Sequence, residues 1–182
     1  ANRLSCTVRG LEAHGGICPE RGLSAIQIAG EAIAGMKLGR VDAETTANLG
    51  RIQGGLATNI VPTRVVVEGE TRSLSVVKLE AQTEHMRQRF EEAAARHAVR
   101  LEDGEHRARV EVKVDRQYER LDVADTAKVV TLVAGAARGL GKSFKTRATG
   151  GGSGPSAVSS STWTGCASSS PGRLWPTGSP SR

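Results

Sequence analysis

The chain has 182 residues, with 25 Lys and Arg against 19 Asp and Glu, a formal net charge of +6, five aromatic residues and three cysteines. No run approaches the ~18 apolar residues of a membrane span, and no apolar signal region opens the chain. The cations are interleaved with acids and lack neighbouring aromatics to stack bases, so the basic balance does not imply nucleic acid. Cys6, Cys18 and Cys166 are widely spaced without a Cys-x-x-Cys pair. That argues against a disulfide framework or a structural zinc site, and for a reducing, cytoplasmic setting.

Residues 3–9 alternate apolar and polar side chains, as a half-buried strand does. The segment from Gly10 to Gly22 is turn-rich and holds His14. From Leu23 the pattern is helical: Ile26, Ala29, Ile33 and Met36 recur at three- and four-residue steps, and Gly39 marks the stop. Residues 44–52 read as a strand broken by Gly54 and Gly55, and Asn59 to Ser73 holds another around Val65, Val66 and Val67. Ser75 is placed to cap a second helix. Its apolar stripe is Leu79, Thr83, Met86, Phe90, Ala93 and His97, with Glu80, Glu84, Arg87 and Glu91 on the wet side. Residues 107–115 alternate most clearly, with Val110, Val112 and Val114 on one face. The order predicts an α+β fold, a ferredoxin-like two-layer βαββαβ sandwich over residues 1–116.

Residues 117–153 change register. Asp125 is placed to cap a third helix with Val129, Leu132, Val133 and Ala136, residues 143–146 suit a short strand, and Thr149 to Ser153 is Gly-rich. A helix, a strand and a Gly-rich loop appended to a complete sandwich read as the start of a partial α/β domain. Two lures fall away. Gly139 to Ser143 ends like a phosphate-binding loop, but Ala136 stands where that motif requires Gly. His85 and His97 miss the four-residue spacing of a helical zinc pair; His97 suits a helix end and His106 a solvated strand start.

Four segments set polar residues in backbone-fixing contexts: Ala13-His14-Gly15-Gly16, Asn48-Leu49-Gly50, Ala57-Thr58-Asn59-Ile60-Val61-Pro62 and Glu70-Thr71-Arg72-Ser73. In this order they resemble the lid, or dimerisation, domain of the zinc-dependent exopeptidase family of peptidase T, carboxypeptidase G and aminoacylase, with the peptidase T-like branch the best fit. Gly15 departs from the Ala usual there, a change between two small residues. The resemblance covers residues 3–153.

The resemblance implies a fragment of a metallopeptidase that acts on small peptides and forms homodimers through the lid. Two zinc ions in the intact family activate the attacking water. Their ligands lie mostly upstream of the lid, with a final His near the C-terminus, so this chain is expected to bind no zinc and to be inactive alone. His14 would reach a partner subunit's active site and stabilise the developing oxyanion. Asn59 would hold substrate, Arg72 would support that surface, and Gly151 and Gly152 would lie at the active-site floor. Each has a plainer reading: a loop histidine bonded to backbone, a turn asparagine, an arginine paired with Glu70 or Glu68, and a simple glycine loop. Other open readings of the whole chain are a stand-alone dimerisation or small-ligand module, and a deacylase or amidohydrolase of the same superfamily.

The family returns to its catalytic domain through Gly-Gly-Ser-Asp-Ala-Asn, whereas Ser153 is followed here by Gly154, Pro155 and Ser156. The composition breaks at the same place: residues 154–182 hold nine Ser, four of the six Pro and both Trp, but no Asp, Glu or Lys. An out-of-frame translation explains why the break falls inside a motif, and is favoured over a flexible Ser/Pro tail.

Overall fold

The computed structural model describes residues 1–118 and 123–146. Among them the strands and α-helices follow in the order β1 (Asn2–Arg9), α1 (Ala25–Ala34), β2 (Gly39–Arg40), β3 (Thr45–Gly54), β4 (Arg64–Ser73), α2 (Val76–Ala95), β5 (Ala98–Leu101), β6 (Gly104–Arg107), β7 (Arg109–Arg116) and α3 (Lys128–Gly139). The main sheet runs β2-β3-β4-β1-β7 and is antiparallel at every pairing. With α1 and α2 on one face, this is the expected α+β sandwich of the ferredoxin type.

The alternation of β1 decides which face is covered. Leu4, Cys6 and Val8 are fully buried against the helices, while Arg3, Ser5, Thr7 and Arg9 line the other face. Val65 and Val67 of β4 continue the core sideways, and Met86, Phe90 and Ala93 of α2 close it from above. Ser75 caps α2 as expected, its hydroxyl accepting from the Lys78 amide. Burial pushes the Cys6 thiol up to about 12, which leaves it a small inert core residue. Three polar residues of the covered face are linked: Asn2 donates to the Thr83 hydroxyl at 3.1 Å, and Thr71 and Thr83 share a 2.7 Å bond.

Several boundaries differ from the sequence expectations. Helix α1 ends at Ala34, with Gly35 at its C-cap, and Gly39 (φ +77°) instead opens β2. Its buried stripe is Ala25, Ile28, Ala29 and Ala32, whereas Ile26 is 49% exposed; small alanines let the helix approach the sheet, so the large residues there do not all point inward. Strand β4 starts only at Arg64, because Pro62 has no amide for a ladder. The expected strand over 107–115 is divided at Ala108, where the β5–β6 hairpin ends and β7 begins. Val110 and Val112 pack on the core, but Val114 is 42% exposed. His97 lies beyond α2 and is held at 2.9 Å by Glu31 of α1. Asp125 does not cap α3, which starts with Ala127 in the N-cap position, and residues 143–146 form no strand. Gly151, Gly152 and the 154–182 tail lie outside the described residues. Among the described residues, no helix is long and apolar enough to cross a membrane.

Candidate functional site

His14 sits in the loop between β1 and α1, and that loop is stitched shut by backbone bonds. Leu11 and Leu23 exchange amide–carbonyl bonds at 3.0 and 2.9 Å, and the Gly10 amide donates to Thr63 at 2.8 Å. A side chain at Gly10 would bring its Cβ to 1.8 Å from the Leu23 carbonyl oxygen, so the close approach requires glycine. Inside the loop, the His14 carbonyl accepts from the amides of Ile17 (3.2 Å) and Cys18 (3.1 Å). The half-buried imidazole is turned onto its own loop, where Nδ1 accepts from the Gly16 amide at 3.2 Å.

The segment carrying Asn59 lies beside this loop. His14 and Ile60 form an antiparallel bridge, flanked by Gly15 N–H to Asn59 carbonyl at 2.7 Å and Val61 N–H to Ala13 carbonyl at 2.9 Å. Two of the motifs singled out in the sequence are thereby brought together. Asn59 occupies the turn that precedes this bridge, and its side chain is exposed. Its turn reading is therefore correct as far as the backbone goes, and the amide is left available to donate and accept.

Arg72 is not brought to the same place. It lies on the open face near the end of β4, where its fork binds Glu70 through two 2.9 Å bonds. The Arg72 guanidinium holds the Glu70 carboxyl below its usual value, and Glu70 in turn raises Arg72. Eight residues of β4 separate Arg64, beside the His14 loop, from Arg72; at about 3.3 Å each they span roughly 26 Å. Gly22, at the end of the turn-rich segment, is a further packing point: an added Cβ would stand 2.9 Å from both the Ala13 Cβ and the Val61 Cγ1. Its signal was present as a glycine in a loop that had to pass close to another chain segment.

The outer edge of β3 is the other exposed feature. β2 pairs only with Thr46 and Ala47, so from Asn48 to Gly54 that edge carries no strand among the described residues. A bulge at Gly50 shifts the register between Leu49 and Arg51. Beyond it Ile52 (55% exposed), Leu56 (89%) and Ile26 of α1 form an apolar fringe, and Ile26 reaches over Gly55.

Residues 2–98 match the family model described as the M20 peptidase dimerisation domain. The chain is 43% identical over 151 residues to the Bacillus subtilis protein YqjE, covering 83% of this chain and 38% of that one. Among solved structures, it is similar to the aminopeptidase PepT of Bacillus cereus, with 42% identity and a TM-score of 0.70. It is likewise similar to a tripeptidase of Staphylococcus aureus, with 40% identity and a TM-score of 0.72. Both matches cover 84% of this chain and 38% of the other, so the chain spans well under half the length of these relatives. The Bacillus subtilis YxeP protein, described as a dinuclear metal-binding peptidase of the M20 family, shares the fold at 22% identity and a TM-score of 0.57. By its sandwich, by the motifs that build the His14 loop and by these matches, the chain belongs to the M20 peptidase dimerisation-domain family.

Proposed function

We propose that this chain is the lid of a peptidase T-like hydrolase that cleaves small peptides, and that its part in the reaction is to bind substrate across a dimer. The observation that carries this reading is the bridge between His14 and Ile60, which sets a histidine and an exposed asparagine on one rigid, backbone-bonded seam. A histidine held there stabilises an oxyanion as negative charge develops on a carbonyl. The Asn59 amide binds the polar ends of the same substrate.

A tripeptide spans only about 10 Å when extended, well short of the strand length that separates the His14 loop from Arg72. His14 and Arg72 of one lid therefore serve different active sites, which a homodimer provides, with Arg72 supporting the substrate surface at the second. We assign the dimer contact to the open edge of β3. Two copies joined edge to edge extend the sheet and cover Ile52, Leu56 and Ile26, the self-complementary arrangement of a two-fold interface.

The division of the chain follows from the same reading: residues 1–116 form the lid, 117–153 return toward a catalytic domain, and 154–182 are a tail foreign to the family. Helix α3 supports the second part, because Val129, Leu132 and Val133 are 46–63% exposed, as on a helix whose covering domain lies elsewhere in the polypeptide. Gly151 and Gly152 belong to that return.

The zinc centre implied by the family finds no home in the described residues, where no group of three or more His, Cys, Asp and Glu is arranged to hold a metal. Its ligands are assigned to the catalytic domain. Assaying the purified 182-residue chain with tripeptides and added zinc tests this assignment. No hydrolysis is expected; metal-dependent hydrolysis that persists through purification would overturn it.

A further inference from the structure

The chain turns so tightly around His14 that the amide two residues on faces the edge of the ring, and the Gly16 N–H lies 3.2 Å from Nδ1. A backbone amide can only donate. Nδ1 is therefore the unprotonated nitrogen, and in the neutral ring the single proton resides on Nε2. We propose that Gly16 is a positioning residue whose amide selects the Nε2–H tautomer of His14, so that the imidazole meets an anionic oxygen as a neutral hydrogen-bond donor. The proposal rests on the reading of His14 as the group that faces the oxyanion.

The tautomer decides the sign of that contact. With the proton on Nε2 the outward edge of the ring offers N–H to a developing negative charge. With the proton on Nδ1 the same edge offers a lone pair, which repels it. Selection is made by the turn itself, since the carbonyl of His14 is already committed to the amides of Ile17 and Cys18. No second side chain is required to orient the ring.

The device depends on the amide of residue 16 and not on its lack of a side chain. An added Cβ there would lie 3.7 Å from the His14 Cε1, an ordinary contact, and the backbone is not in the left-handed region. Alanine therefore preserves the bond, whereas proline removes the donor. The two substitutions separate the amide from everything else about the position.

The test is a long-range proton–nitrogen correlation of the His14 imidazole in the 182-residue chain, recorded where the ring is neutral. The native chain and Gly16→Ala should show the Nε2–H pattern alone, and Gly16→Pro should fall back toward the tautomer ratio of free histidine. The Gly16 amide resonance of the native chain should also titrate with the midpoint of the ring, a measurement that serves if Gly16→Pro does not fold. An Nδ1–H ring, a free-histidine ratio in the native chain, an unaltered pattern in a folded Gly16→Pro, or a Gly16 amide blind to ring protonation would each overturn the proposal. None of these readouts needs peptidase activity. A failed tautomer assignment is thus distinct from a failed role for His14, which is read from the turnover of a His14 variant.

Discussion

The backbone amide of Gly15 donates to the carbonyl of Asn59 over 2.7 Å, and that bond closes the seam on which the candidate site is built. With the Val61–Ala13 bond beside it, it ties the β1–α1 loop to the segment entering β4. Neither side chain of functional interest contributes to the seam, so His14 and Asn59 are positioned without being consumed.

Packing behind the seam is tight at Gly22. Its backbone (φ −104°, ψ 160°) is open to any residue, but an added Cβ would stand 2.9 Å from carbons of both Ala13 and Val61. Gly22→Ala should therefore destabilise the fold by about 1–2 kcal/mol, overpacking outweighing the entropy gained by losing a glycine. Urea unfolding of the two proteins measures the difference. Equal midpoints and slopes would show that the loop yields without cost.

The Glu70–Arg72 pair gives a pH signature. Because Arg72 lowers the folded-state value of Glu70, the pair stabilises the fold fully above the ordinary glutamate value of 4.5 and loses its effect as pH falls through the lower folded-state value. The stability difference between the native chain and Glu70→Gln should be largest near neutrality and should shrink below pH 4.5. Chemical unfolding along a pH series checks it; a difference that grows toward acid would reverse the assignment. Both side chains reach solvent, so the effect should be modest and weaken with salt.

The open β3 edge predicts the oligomeric state. The chain should scatter light as a dimer at micromolar concentration, and Ile52→Glu should shift it to monomer by placing a charge in the covered fringe. Far-ultraviolet circular dichroism should be unchanged, since Ile52 is already 55% exposed within one chain. A dimer indifferent to this substitution would move the interface elsewhere.

Much of the sandwich was legible because its signals are local. Leu4, Cys6 and Val8 alternate within one strand, Ser75 caps the helix that follows it, and the Leu79–Ala93 stripe repeats at helical spacing. The misreadings arise where packing overrides such patterns. Ile26 has the right spacing for the core, yet the alanine face of α1 takes that place. The two strands of the β5–β6 hairpin have four residues each, too few for a clear alternation. For Arg72 the sequence left Glu68 and Glu70 both open as partners; the bond goes to Glu70, two residues away on the same face of β4. The nearness of His14 to Asn59 was not legible: it is made by backbone bonds between segments far apart in sequence, which leave no trace in side-chain pattern.

His14 is the side chain on which the proposed function of this lid depends most directly. Residues 1–116 can replace the corresponding lid of the Bacillus cereus aminopeptidase PepT, to which this chain is 42% identical, and tripeptide hydrolysis by that chimera can be compared with its His14→Ala form. An active dimeric chimera is expected, its kcat falling on the order of 10²- to 10³-fold on losing the imidazole, as for other lost oxyanion donors. Equal turnover by the two chimeras, both folded and dimeric, would contradict it.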